Sequence, residues 1–134
     1  HPGEFSRMFP AWDRADRTGF PAEIARTYRL VLVLKDATTH IYLPDGRQYR
    51  CNAPNSGMAK GGSGEVLAGL IAGFLAQTGD PEKAACIGVY LHALAGRIAA
   101  QHHGVRFMQA SDLIACLADA YRQTDMDKGE VIRT

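Results

Sequence analysis

Nothing in this sequence supplies a disulfide framework. Its three cysteines, Cys51, Cys86 and Cys116, are odd in number and none sits in a CxxC pair. That argues against a stapled secreted scaffold and against a thiolate zinc site. Free thiols in a reducing, cytoplasmic setting are the plain reading. The opening residues His1-Pro2-Gly3-Glu4 hold no initiator Met, no basic leader and no apolar h-region. The chain therefore reads as a fragment or a processed product without a signal peptide. Long hydrophobic runs are also lacking. The longest, Val66 to Ala76, is too short to span a bilayer and carries Gly69 and Gly73. Charge of one sign is lacking too, since the net charge is +1. No basic stripe of the kind nucleic-acid binding needs is present. The arginines from Arg7 to Arg29 alternate with Asp13, Asp16 and Glu23 and read as a solvated face. Among five histidines only His102 and His103 adjoin. Neighbouring helical residues point to different sides, so no metal site is assigned.

What is present fits one domain spanning all 134 residues, with a hydrophobic share of 46% that suffices for an ordinary core. Residues 4 to 9 predict a short helix closed by Pro10. Pro21 predicts the first position of a second helix carrying Ala22, Ile24, Ala25 and Tyr28. Leu30-Val31-Leu32-Val33-Leu34 is apolar at every position, the pattern of a strand buried on both faces, as in a parallel α/β sheet. His40–Leu43 and Gln48–Cys51 flank Pro44-Asp45-Gly46-Arg47, which predicts a hairpin. Residues 52 to 64 are a loop. From Gly64, Val66, Leu67, Leu70, Ile71, Phe74 and Leu75 recur at helical spacing, while Ala68, Gly69, Ala72, Gly73 and Ala76 form a small face for close packing. Asp80 and Pro81 read as N-cap and first residue of a helix running to about His102, with Ala84, Gly88 and Ala95 on a tight surface. Ser111 reads as the N-cap of a last helix that turns Leu113, Ile114, Leu117, Ala118 and Tyr121 inward. The polar tail from Thr124 is predicted to fray. The fold class is α/β, with too few strands for a complete sheet.

Chemistry concentrates between Asn55 and Leu67. Glycines at 61, 62 and 64 permit positive φ and close backbone approach. A helix follows at once, and its first amides have no internal partner. Such a loop is a physical anion site, with Lys60 adding charge at its mouth. It is no Walker A loop, because Ser63 stands where Lys is required, and it lacks the third small residue of a dinucleotide fingerprint. On composition alone, glycines that merely allow tight packing explain the loop equally well. Glu65, in the first helical turn, reads either as a complement to the dipole or as a general base beside a bound phosphate. Met58 reads as gap filler and His92 as a satisfied core histidine.

Several motifs in register carry a family resemblance. They are His1-Pro2-Gly3-Glu4-Phe5, Val33-Leu34-Lys35, Pro44-Asp45-Gly46-Arg47, Gly57-Met58-Ala59, Gly61-Gly62-Ser63-Gly64, Val66-Leu67-Ala68-Gly69, Gly88-Val89-Tyr90-Leu91-His92 and Ala110-Ser111-Asp112-Leu113-Ile114. With these the chain resembles the C-terminal half of the ADP- or ATP-dependent NAD(P)H-hydrate dehydratases, the kinase-like domain of YjeF-type proteins. The resemblance implies a partial ribokinase-like three-layer fold: a few-stranded sheet with a hairpin, a Gly-rich loop and three C-terminal helices. It implies a lyase activity in which the nucleotide phosphorylates the added hydroxyl of hydrated NADH or NADPH and elimination restores the cofactor. By position, Lys35, Asp36, Ala37, Thr38 and Thr39 contact the nucleotide, with Asn55 beside them. Gly61, Gly62, Ser63 and Gly64 form the anion hole. Glu65 is the catalytic base, and His1, Glu4 and Glu65 contact the hydrated substrate. Mg2+ accompanies ADP or ATP, with no protein ligands assigned.

Three positions depart from the family. Glu65 replaces Asp, which moves the carboxylate by about 1 Å, a misplacement that can cost ~100-fold in rate. Ala53-Pro54-Asn55 replaces Thr-Gly-Asn, and Asp36 replaces Gly. The family domain is also roughly twice as long, so an open sheet edge is expected and a homo-oligomer or a chain supplying the missing half would cover it. Two other functions stay open: a non-catalytic nucleotide-binding or scaffolding remnant, and a small-molecule kinase of the ribokinase superfamily. No nucleic acid or membrane partner is expected.

Overall fold

Two capping devices set the N-terminal layer. In the computed structural model, which describes residues 1–16, 18–52 and 56–128, helix α1 (Pro2–Met8) starts earlier than the predicted segment. His1 caps it: Nδ1 accepts from the Gly3 amide at 3.1 Å, and Glu4 accepts from the His1 backbone nitrogen at 3.1 Å. Helix α2 (Gly19–Thr27) begins two residues before the predicted Pro21. Its start is held by Asp16, whose carboxylate accepts from the amides of Thr18 (3.0 Å), Gly19 (2.7 Å) and Phe20 (2.7 Å). Asp16 is therefore a cap and not part of a solvated charge face. The Phe20, Gly19 and Thr18 amides hold its carboxyl below the usual carboxylate range.

Strands β1 (Leu32–Leu34), β2 (Thr38–Tyr42) and β3 (Gln48–Asn52) form one sheet in the order β1-β2-β3, antiparallel throughout. The parallel setting predicted for 30–34 is thus corrected, because the following strand returns directly as its neighbour. Burial on both faces does hold. Leu32, Leu34 and Tyr42 join Phe5, Trp12 and Ala25 on one side. Val31, Val33, Ile41 and Leu43 join Leu67 and Val89 on the other. Helices α1 and α2 cover the first face, and α3 (Ser63–Thr78) and α4 (Pro81–His103) the second, giving three layers. The hairpin closes where predicted. Leu43 N donates to Arg47 O at 2.9 Å, and Gly46 takes φ +93°, a conformation that favours glycine.

Asp80 caps α4 by accepting from the Lys83 amide at 3.1 Å. The small residues of α4 let it lie close to α3: a Cβ on Gly88 would come within 2.6 Å of Ile71 Cγ1. The predicted last helix is two, α5 (Ala110–Ala115) and α6 (Leu117–Lys128). Gln109, not Ser111, is the cap, because Asp112 reaches back to the Gln109 amide at 2.7 Å. The inward face also differs. Leu113, Cys116 and Ala120 are buried, whereas Ile114, Ala118 and Tyr121 are exposed. Helix α6 continues past Thr124 to Lys128, and the rest of the tail predicted to fray lies outside the described residues. No helix among the described residues is long and apolar enough to cross a membrane. The face of α3 predicted for close packing stays open, with nothing within 4 Å of a Cβ built on Gly69 or Gly73.

Candidate functional site

The pairing of Thr38 with Asn52, beside a β1 that ends at Leu34, puts three strand ends at one end of the sheet. The β1–β2 turn and the chain leaving β3 emerge there together. After β3 the chain forms a 310 turn (Ser56–Ala59), then Lys60-Gly61-Gly62, then α3. Lys35, just past β1, donates from Nζ to the Met58 carbonyl at 3.5 Å. The first strand's cation is thereby brought to the segment that leads into the glycines.

Gly62 is the N-cap of α3, with φ +89°. A Cβ there would lie 2.9 Å from Ala110 Cβ, so both conformation and space demand glycine. Having no side chain, Gly62 cannot cap, and the amides of Gly64 and Glu65 find no acceptor among the described residues. Gly61 and Gly64 face open space. Exposed first-turn amides, a positive helix end and room for backbone approach are what an anion site requires.

Below this loop the packing is tight. Met58 is buried against Gly96, and Met108 against Gly57. Met58 is the gap filler that the sequence suggests. His92 is buried too, with Nε2 at 2.9 Å from the Ser63 carbonyl oxygen and 3.3 Å from Ser63 Oγ. Burial pushes its imidazole below the usual range; the Ser63 bond opposes that and the Lys35 charge adds to it. Lys60 does not stand at the mouth as predicted. Its ammonium donates to the Arg106 and Met108 carbonyls at 2.7 and 2.6 Å. Sequence reasoning missed that clamp, since no local pattern marks acceptors so far along the chain.

Glu65 is exposed on the first turn of α3. It stands at one end of an open groove of about 500 Å3 lined by Val66, Gly69, Gly73, Phe74 and, from α5 and α6, Ile114 and Leu117. Gly61, Gly62, Ser63, Gly64 and Glu65 thus share the start of α3, and Lys35 reaches the segment that leads into them. Asp36 and Ala37 are exposed in the adjoining β1–β2 turn. Thr38 and Thr39 are drawn into β2, and Thr38 Oγ1 donates to Asn52 Oδ1 at 3.2 Å. His1 and Glu4 engage each other at the start of α1, and none of the described hydrogen bonds joins them to the glycine loop. Asn55 lies outside the described residues. No three His, Cys, Asp or Glu side chains converge as a metal site among the described residues.

Comparison with known proteins gives a consistent answer. A family model described as NAD(P)H-hydrate dehydratase matches residues 1–119. The bifunctional NAD(P)H-hydrate repair enzyme Nnr of Moorella thermoacetica is 41% identical over 98% of this chain and 26% of its own length. The ADP-dependent (S)-NAD(P)H-hydrate dehydratase of Bacillus subtilis is 33% identical over 92% of this chain and 46% of its own length. A crystal structure of the Bacillus subtilis ADP/ATP-dependent NAD(P)H-hydrate dehydratase, co-crystallised with ATP and Mg2+, superposes with a TM-score of 0.85 at 32% identity. That match covers 92% of this chain and 46% of the other. The chain thus spans about a quarter of the bifunctional relatives and about half of the dehydratase.

Proposed function

From the premise that the chain belongs to the NAD(P)H-hydrate dehydratase family, we propose that it is the nucleotide-binding half of an ADP- or ATP-dependent dehydratase that repairs hydrated NADH or NADPH. One observation carries this reading. Lys35 reaches the Met58 carbonyl, on the segment that leads into the Gly61–Gly64 turn, and the Gly64 and Glu65 amides that open α3 have no acceptor among the described residues.

The chemistry follows from that arrangement. Phosphoryl transfer needs positive charge and fixed N–H donors around the transferring group, in a site already organised for it. Lys35 and the Gly64 and Glu65 amides are the groups at hand. Glu65 takes the proton of the attacking substrate hydroxyl as the new P–O bond forms and the nucleotide's P–O bond breaks. Phosphate then leaves carbon with the electron pair of the C–O bond, the neighbouring carbon gives up a proton to water, and the nicotinamide double bond is restored. Asp36, Ala37, Thr38, Thr39 and Asn55 are assigned to the nucleotide side, and His1 and Glu4 to the hydrated substrate. The relative's crystals contained Mg2+. No converging set of ligands marks a protein site for it here, so we assign none and derive no step through it.

A complementary polypeptide or a second copy of the chain completes the catalyst, covering the sheet edge and the α3 face. Three free cysteines fit a reducing cytoplasm. Glu65 in place of the family's Asp favours a second reading, nucleotide binding without turnover.

Calorimetric titration with ADP and Mg2+, on the chain and on Glu65→Asp, tests the proposal. Saturable one-site binding by both is expected. Turnover of hydrated NADH should appear when the complementary half is added, and rise in Glu65→Asp. Binding with no turnover in either form would establish the second reading. No heat from either form, with or without the added half, would overturn both.

A further inference from the structure

Ser63 and His92 are the two buried polar side chains among the described residues, and they meet between α3 and α4. His92 Nε2 lies 2.9 Å from the Ser63 carbonyl oxygen. A carbonyl only accepts, so Nε2 carries the proton and donates. Ser63 Oγ, at 3.3 Å, shares the same donor. Burial favours the neutral ring that this arrangement uses.

The Ser63 carbonyl and the Gly64 N–H belong to one planar trans peptide group, and they point in opposite directions. Holding the oxygen therefore fixes the direction of the N–H. Donation to the oxygen also polarises the peptide and makes that N–H a stronger donor. Gly64 N–H is one of the amides at the start of α3 that have no acceptor among the described residues. It sits on an exposed glycine where an added Cβ would meet nothing within 4 Å.

We propose that His92 is a positioning residue for the anion site. Its Nε2–H sets the tilt of the Ser63–Gly64 peptide plane and so aims the Gly64 amide at the phosphoryl oxygens of a bound nucleotide. The inference rests on the nucleotide reading given above. It assigns His92 a task beyond filling the interior, although the ring itself touches no ligand.

The test compares His92→Gln, whose amide nitrogen can present an N–H where Nε2 stood, with His92→Leu, which presents none. Two readouts are taken: the Gly64 amide resonance and its exchange rate without ligand, and ADP–Mg2+ affinity by calorimetry. His92→Leu should shift the Gly64 resonance and weaken ADP by about tenfold, the size of one net hydrogen bond. His92→Gln should restore both, even where its thermal midpoint is no higher than that of the leucine variant. If His92→Leu does not fold, His92→Asn replaces it, because the shorter amide stops near the position of Nδ1 and cannot reach Ser63. A Gly64 resonance unchanged in the donor-free variant, or wild-type ADP affinity in it, overturns the proposal. So does a folded His92→Gln that fails to restore either readout. If the wild-type chain itself does not take up ADP, the nucleotide reading fails, and the Gly64 resonance alone decides whether His92 orients the peptide.

Discussion

Lys60 Nζ lies 2.6 Å from the carbonyl oxygen of Met108, and 2.7 Å from that of Arg106. The ammonium thus bolts the glycine loop to the segment between α4 and α5. Lys60→Met removes two charge-assisted bonds, each with a net worth of about 1.5–3 kcal/mol at most. The expected result is a thermal midpoint lower by several degrees. Amide exchange should quicken at Phe107 and Met108, whose N–H groups bond Gly104 O at 3.1 Å. A variant that keeps its stability and loses only ADP affinity would restore the role of a charge at the mouth.

Gly88 is required by Ile71. A Cβ at 88 would sit 2.6 Å from Ile71 Cγ1 and 3.3 Å from its Cα, so backbone as well as side chain must give. Gly88→Ala should destabilise by about 1–3 kcal/mol through overpacking. Ile71→Val in the same chain should recover part of that, since it trims the contested side chain. A double-mutant cycle in urea measures the coupling; a coupling of zero would show that α3 and α4 are not pressed together there.

Local chemistry was readable from the sequence and distant chemistry was not. Pro44-Asp45-Gly46 and Asp80-Pro81 mark their turn and cap because the responsible contacts lie within a few residues. The run 30–34 disclosed burial on both faces, since Leu32 and Val33 face opposite layers, but not its antiparallel partner. Lys60 finds its acceptors 46 and 48 residues on, beyond the reach of any local pattern. The break between α5 and α6 at Cys116 carries no Gly or Pro to announce it. Asp16 did carry a signal, an acid one turn before Phe20-Pro21, which the alternation of charges around it concealed. At the candidate site, the glycine turn before α3 and the lysine after β1 were legible as local features, whereas the union of Ser63 with His92 needed the packing of α3 on α4.

Asp16 makes a pH prediction. Its three amide donors depress the folded-state pKa below the unfolded value of about 3.9. A depressed carboxylate contributes stability that is complete above the unfolded pKa and is lost as pH falls through the folded one. Asp16→Ala should therefore lower the thermal midpoint at neutral pH, by an amount that shrinks as the medium is acidified below about pH 4. Equal penalties at neutral and strongly acid pH would show that the carboxylate charge does not hold the start of α2.

The open face of α3 predicts opposite signs for one substitution in two states of the protein. Nothing lies within 4 Å of a Cβ built on Gly69 or Gly73. In the chain alone, Gly69→Ala and Gly73→Ala should each stabilise by about 0.5–1 kcal/mol, because alanine loses less backbone freedom in a helix than glycine. Where a second copy or a complementary half is seated on that face, the same methyl groups intrude on a close helix approach and should weaken association. Thermal melting of the dilute chain reads the first effect, and sedimentation of the assembled form reads the second. Destabilisation already in the dilute chain would mean that the face is closed within the chain itself. Stabilisation in both states would mean that the partner sits elsewhere, with the two edge strands of the sheet, β1 and β3, as remaining places for it to pair.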